Sequence, residues 1–262
     1  MTPKPIRAED MIVSRIEHYT PTLFLLELQQ RPNAVPLPTY KPGQFVQLQI
    51  PNCNGVFLRR PFSVYYSNSS HIGLLIQVVG RGSKRLYHSQ PGDKINVLGP
   101  LGNSFLEPQG KHPLLIGGGV GLAPMLSLGG WLKQKGYTPT FLLGGRSTEA
   151  FPNIDMFKEF GKVYITTEDG SWGEKGRVTE HSLWNTTQIS QIYTCGPTPM
   201  MKAIAKIAVN KGIPCQVSLE NQMACGVGVC LCCVERTKQG HKCTCTEGPV
   251  FDIQDLEWQQ EI

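Results

Sequence analysis

Six of the nine cysteines in this 262-residue chain fall between positions 225 and 245, and that crowding constrains the fold more than any other feature. The segment that carries them, residues 219–262, is too short to bury a core of its own. It must be held by a cofactor or docked on a neighbour. The N-terminal stretch MTPKPIRAED lacks the apolar run of a signal peptide, so a cytoplasmic chain with reduced thiols is expected rather than a disulfide scaffold. Clustered thiols in that setting read as metal or redox chemistry. Cys225, Cys230 and Cys233 are spaced C-x4-C-x2-C, with Cys245 eleven intervening residues further on, a plant-type [2Fe–2S] ligand pattern. Gly226 and Gly228 let the backbone wrap closely and aim N–H groups at sulfur. A zinc site more often pairs two C-x2-C hooks, and one is present here. Cys233 completes the x4-x2 spacing and Cys232 does not; Cys232 and Cys243 are surplus, and Cys53 and Cys215 read as structural.

The remainder changes grammar at Phe105. Residues 1–105 carry runs with period two or continuous apolarity: LFLLEL (23–28), GQFVQLQI (43–50), PFSVYY (61–66), IGLLIQVV (72–79) and DKINVLG (93–99). In the second of these Val46, Leu48 and Ile50 alternate with Gln47 and Gln49, a half-buried strand. No helix is expected before Phe105, which points to a small antiparallel barrel or sandwich. Residues 106–218 alternate strand and helix: PLLIGGG (113–119), a helix over 121–136, TFLLGG (140–145), a weak helix near 153–160, KVYITTE (162–168), QIYTCGP (191–197), a helix over 199–212 and CQVSLE (215–220). That order predicts a parallel α/β sheet. The chain is 40% hydrophobic and 17% charged, which excludes wholesale disorder, and no window is apolar enough to span a membrane. A net charge of +5 without a Lys/Arg block speaks against a nucleic-acid module and permits anionic small molecules.

The second unit opens on the turn IGGGVGLAP, where Gly117, Gly118, Gly119 and Gly121 lie between a strand and a helix and can hold a pyrophosphate. The turn does not satisfy G-x-G-x-x-G, and no acidic residue follows at about 20 positions. Arg146 follows the next strand, where a ribose or a 2′-phosphate would come. Cys195 ends a strand at the sheet edge where α/β folds place ligands, beside a nicotinamide in this reading. In the first unit Arg60 of RRPFS can pair with a phosphate and Ser63 with a flavin edge, while Gly82 and Ser83 of GRGSKRL offer an amide-and-hydroxyl cradle.

Taken in order, RPFS, GRGS, GPLGNSF (99–105), GGGVGLAP, YTCGP and CGVGVCLCC make a set. The chain resembles the ferredoxin–NADP⁺ reductase superfamily over about its first 220 residues. Over its whole length it is similar to the electron transfer subunits of type B dihydroorotate dehydrogenases. The resemblance implies an FAD-binding antiparallel β-barrel (1–105), an NAD-binding α/β domain (106–218) and a [2Fe–2S] domain (219–262). It implies FAD contacts at Arg60, Pro61, Phe62, Ser63, Leu75, Ile76, Gln77, Gly82 and Ser83, and cluster ligation by Cys225, Cys230, Cys233 and Cys245. The family often shows Tyr-Arg where this chain has Ile76-Gln77. The implied activity is an electron relay from dihydroorotate to NAD⁺ in pyrimidine (UMP) biosynthesis, through FMN in a separate catalytic subunit, [2Fe–2S] and FAD. A heterotetramer with two of each subunit is implied. No residues here are arranged to oxidise dihydroorotate itself. The alternatives are another diaphorase subunit, either the small subunit of an NADH-dependent ferredoxin:NADP⁺ oxidoreductase or a hydrogenase γ subunit, and a zinc-stabilised binding module without redox turnover. The first of these commonly has Asp where Cys225 stands.

Overall fold

The computed structural model of the chain describes residues 6–186 and 188–260; residues 1–5 of the first sequence unit and 261–262 of the third lie outside the described residues. In the first unit, β1 (Arg7–Thr20), β2 (Leu23–Gln29), β3 (Phe45–Leu48), β4 (Arg60–Ser63), β5 (Tyr66–Ser67), β6 (His71–Gln77) and β7 (Lys94–Leu101) form one antiparallel sheet. Its order is β4-β3-β7-β1-β2-β6-β5, and it curls into a half-barrel in which β4 returns against β6. Phe24, Leu26, Val46, Leu48, Ile72 and Leu74 fill the inside. The continuous apolar run of β2 is explained by burial of both faces. Phe24, Leu26 and Leu28 point into the half-barrel, while Leu23 and Leu25 pack against the second unit.

In this first unit two elements, β1 and a short helix, escape the sequence pattern. In β1 Met11 and Val13 are the buried residues and charges flank them, so no apolar run marks a strand that pairs with both β2 and β7. A helix, α1 (Arg81–Tyr87), occupies the stretch where none was expected. The Ser83 hydroxyl explains it: it accepts the N–H groups of Val79 (2.9 Å) and Gly80 (3.1 Å) and donates to the Gly80 carbonyl (3.1 Å), closing the first turn. Seven residues are too few for a helical period to stand out.

The second unit follows the predicted alternation: β8 (Pro113–Gly118), α2 (Leu122–Gln134), β9 (Thr140–Gly145), α3 (Ile154–Phe160), β10 (Lys162–Thr167), β11 (Glu174–Lys175), α4 (Leu183–Thr186), β12 (Gln191–Cys195), α5 (Thr198–Lys211) and β13 (Cys215–Ser218), with β11 and α4 as two short elements that the sequence pattern does not announce. These strands are parallel in the order β11-β10-β9-β8-β12-β13. The chain direction of winding reverses between β8 and β12, which opens a crevice at the carboxyl ends of those two strands.

The third unit docks on both others. It holds a hairpin of β14 (Val234–Thr237) and β15 (Gly240–Cys243), then β16 (Val250–Asp252), which pairs antiparallel with β13 as the seventh strand of the α/β sheet. Asn103, in the linker after β7, fastens the approach to β16. Its Nδ2 donates to the carbonyls of Glu247 and Val250 (both 2.8 Å), its Oδ1 accepts the Val250 N–H (2.9 Å), and its own N–H donates to the Gly248 carbonyl (2.6 Å). Phe45 and Leu101 pack against Cys233, Cys243 and Cys245. This docking changes the reading of β3. Gln49 faces solvent as its alternation requires, but Gln47 is 0% exposed because the third unit covers the outer face of the strand.

Asn103→Ala removes the three side-chain bonds to the segment 247–250 and should cost about 1–3 kcal/mol locally. Hydrogen exchange at the Val250 amide should accelerate while the amides of β8 and β12 exchange as before.

Candidate functional site

On the half-barrel, β4 presents Arg60, Pro61, Phe62 and Ser63, and its partner β3 sets Gln47 opposite Pro61 and Phe45 opposite Ser63. The two arginines divide. Arg59 is tied down, its Nη2 donating to Asn96 Oδ1 (2.5 Å) and its Nη1 to the Asn96 carbonyl (3.1 Å). Arg60 donates only to the nearby carbonyls of Leu58 (3.0 Å) and Arg59 (3.3 Å). Its stem lies over Gly82: a Cβ there would stand 3.5 Å from Arg60 Cγ and 3.6 Å from Nε. The structure thus brings Arg60 to the start of α1, whose first-turn N–H groups have no acceptor within the helix. A guanidinium beside free amides fits a dinucleotide diphosphate. The cradle differs from expectation in one part, since the Ser83 hydroxyl serves its own helix turn and leaves the backbone to meet an anion. On β6, Leu75 points toward the second unit and Ile76 into the half-barrel, both buried; what the strand offers a flavin is its main chain and half-buried Gln77.

The residues expected on the nicotinamide side meet at the crevice between β8 and β12. A Cβ on Gly121 would lie 2.2 Å from the Cys195 carbonyl oxygen, so no other residue allows the turn to seat there. Gly117 and Gly118 are buried in β8, whereas Gly119 is exposed with open space above it. Backbone N–H groups at the head of the thirteen-residue α2 again suit a phosphate. Arg146 is exposed just after β9. Cys195 is fully buried, with Sγ 3.9 Å from Glu220 Oε1. Burial pushes the Cys195 thiol well above its ordinary range, and the carboxyl of Glu220, a residue exposed as a whole, is raised by desolvation beside that thiol. Glu220 was missed in the sequence reading. The available signal was its place directly after the buried strand β13, on the same sheet edge as Cys195.

The cysteine segment sorts itself by hydrogen bonding. Cys225 Sγ accepts the N–H groups of Val227 and Cys230 (both 3.4 Å), Cys230 Sγ that of Cys232 (3.5 Å), Cys233 Sγ that of Cys245 (3.4 Å) and Cys245 Sγ that of Gly228 (3.2 Å). Each sulfur of the C-x4-C-x2-C…C set therefore receives a backbone donor. Cys232 contributes its amide, and the Cys243 N–H goes instead to Glu247 Oε2 (2.8 Å). The amides of Val227 and Cys230 bring the Cys225 thiol down to about 6, while burial takes Cys245 up to about 12. Gly226, at φ +73°, makes the turn that aims the loop amides inward. Side-chain contact links Cys225 with Cys230 and Cys233 with Cys245, two pairs close enough for Cys225 to act on Cys245 as well. Thiols in two pairs, each with an N–H donor, have the donor chemistry of a two-iron cluster. Val227, Val229 and Leu231 stand exposed around this loop.

Three family profiles match in the same order as the sites. That described as the oxidoreductase FAD-binding domain covers residues 15–105, the oxidoreductase NAD-binding domain 115–206, and the iron-sulfur cluster binding domain of dihydroorotate dehydrogenase B 220–257. The dihydroorotate dehydrogenase B (NAD(+)) electron transfer subunit of Caldanaerobacter subterraneus subsp. tengcongensis is 38% identical over 226 residues, 84% of this chain and 86% of that one. The protein of the same name from Bacillus caldolyticus is 37% identical over 219 residues, 80% of this chain and 84% of that one. Among solved structures, an NADH-dependent reduced ferredoxin-NADP oxidoreductase superposes with a TM-score of 0.83 at 28% identity, over 95% of this chain and 90% of that one. A flavin-type half-barrel, an α/β crevice and a four-thiol loop, matched in sequence over most of their length, place the chain in the family of dihydroorotate dehydrogenase B electron transfer subunits.

Proposed function

We propose that the protein passes electrons between the FMN of a dihydroorotate dehydrogenase catalytic subunit and NAD⁺, through [2Fe–2S] and FAD, in the cytoplasm and for pyrimidine (UMP) biosynthesis. The units are residues 1–105, 106–218 and 219–262, and two copies of each subunit form a heterotetramer. The observation that carries this reading is the four-thiol set, each sulfur holding a backbone donor, on a loop seated against the strand that pairs with the flavin-side β4.

Bound FAD can change by two electrons or one, and a bound cluster by one at a time, which is the chemistry a relay needs. The chain's own residues supply the rest. Arg60 and the first-turn amides of α1, with Gly82 and Ser83, neutralise the FAD diphosphate, while Pro61, Phe62, Ser63 and the main chain of Leu75 to Gln77 flank the ring. Gly117, Gly118, Gly119 and Gly121 let the NAD diphosphate approach the head of α2. Cys195 closes the crevice beside the nicotinamide, and its burial disfavours a thiolate there. Cys225, Cys230, Cys233 and Cys245 hold the iron. Val229, 79% exposed, and Leu231, 63% exposed, form an apolar rim at the cluster loop that the catalytic subunit covers.

A second reading, a diaphorase subunit of another complex, draws on the TM-score of 0.83 to the NADH-dependent reduced ferredoxin-NADP oxidoreductase structure. One experiment separates them. With the catalytic subunit added, dihydroorotate should bleach the cluster absorption of this chain, and without that subunit it should not. A cluster that stays oxidised under those conditions yet is reduced by reduced ferredoxin favours the second reading; a colourless, zinc-loaded protein removes both.

Cys225→Ser should lose the cluster absorption and keep FAD, whereas Cys232→Ser should keep both, because Cys232 serves through its amide. Equal iron loss in the two variants would refute the ligand assignment. Leu231 sits at φ +57°, which Asp tolerates well. Leu231→Asp should weaken co-elution with the catalytic subunit at least tenfold while leaving the isolated chain's NADH-dependent dye reduction unchanged.

A further inference from the structure

Gln47 is a polar side chain fully enclosed by protein, and among the described residues neither its Oε1 nor its Nε2 has a hydrogen-bond partner. Leaving both ends of a buried amide unpaired costs the desolvation of each without return, so native structures rarely tolerate it without a partner outside the chain. Its surroundings identify the side it faces. On the outer face of β3, Gln47 lies opposite Pro61 of the flavin-side strand, and its carboxamide presses on Gly226: a Cβ at 226 would stand 2.8 Å from Gln47 Oε1 and 3.0 Å from Nε2. Gly226 follows Cys225 and begins the turn that carries the sulfur-directed amides.

We infer that Gln47 Nε2 is a hydrogen-bond donor from the half-barrel to the sulfur edge of the cluster at Cys225, and that it sets the cluster's reduction potential. The inference rests on the cluster reading above. Cluster sulfurs accept hydrogen bonds and do not donate them, which fixes the amide orientation with nitrogen toward the loop. A donor at that edge favours the reduced, more negative cluster and raises its potential. The backbone donors come from the third unit itself; Gln47 brings one from the flavin-bearing unit. It is a positioning and tuning residue rather than a catalytic one.

The test uses Gln47→Met, which keeps length and volume without a donor, in the holoprotein. Redox titration followed by the EPR signal of the reduced cluster should give a midpoint shifted against the reference couple by about tenfold in the one-electron equilibrium, about 59 mV lower. The two-electron FAD midpoint should stay in place. An unmoved cluster midpoint at full iron content overturns the assignment to Gln47 alone, as does a shift confined to FAD. An independent measurement covers a variant that fails to load iron: wild-type protein labelled with ¹⁵N at glutamine side chains should show a nitrogen coupling to the reduced cluster in pulsed EPR, and its absence overturns the assignment. A wild-type chain without any [2Fe–2S] signal overturns the cluster reading and this one together.

Discussion

The outer face of β3 is the surface on which the rest of the arrangement depends. A strand in a half-barrel has one face in the core and one for water, and here Val46 and Leu48 take the first role. Phe45 and Gln47 on the second face are sealed by the cysteine segment. Because β3 also pairs with β4, a single four-residue strand stands between the flavin motif and the cluster loop. Apolar contact from Phe45 and Leu101 provides non-directional attraction, and the Asn103 bonds fix the register that contact alone would leave loose.

The same economy appears at the crevice between β8 and β12. The glycine turn and the end of β12 approach until a Cβ would collide with the Cys195 carbonyl, so this end of the sheet is built from backbone. Backbone amides are fixed dipoles with no side-chain freedom to lose, and in the proposed function both dinucleotide sites rely on them, with Arg60 the added positive charge on the flavin side. The cluster loop extends the principle: its sulfurs are served by amides of Val227, Gly228, Cys230, Cys232 and Cys245.

Much of this was legible in the sequence because it is local. The C-x4-C-x2-C spacing, the IGGGVGLAP turn and the strand–helix alternation after Phe105 are written within a few turns of chain, and the turn lies between β8 and α2 as its glycines suggest. What escaped is either short or long-range. The helix α1 shows no period in seven residues, and the charged β1 is stabilised by pairing on both sides rather than by its own apolar content. Gln47 looked like a solvent-facing position because nothing in residues 43–50 announces a cover arriving some 180 positions later. Glu220 and Asn103 likewise acquire meaning only through partners far along the chain.

The pairing of β16 with β13 bears on how the chain comes together during synthesis. β13 is the last strand of the α/β sheet before the cysteines are made, and until residues 250–252 arrive its outer edge carries unpaired amides and carbonyls. Such an edge is a template for unwanted association. Its protector, residues 250–252, follows closely on Cys245, so the stretch that gathers the thiols is also the one that seals the edge of the nucleotide-side sheet.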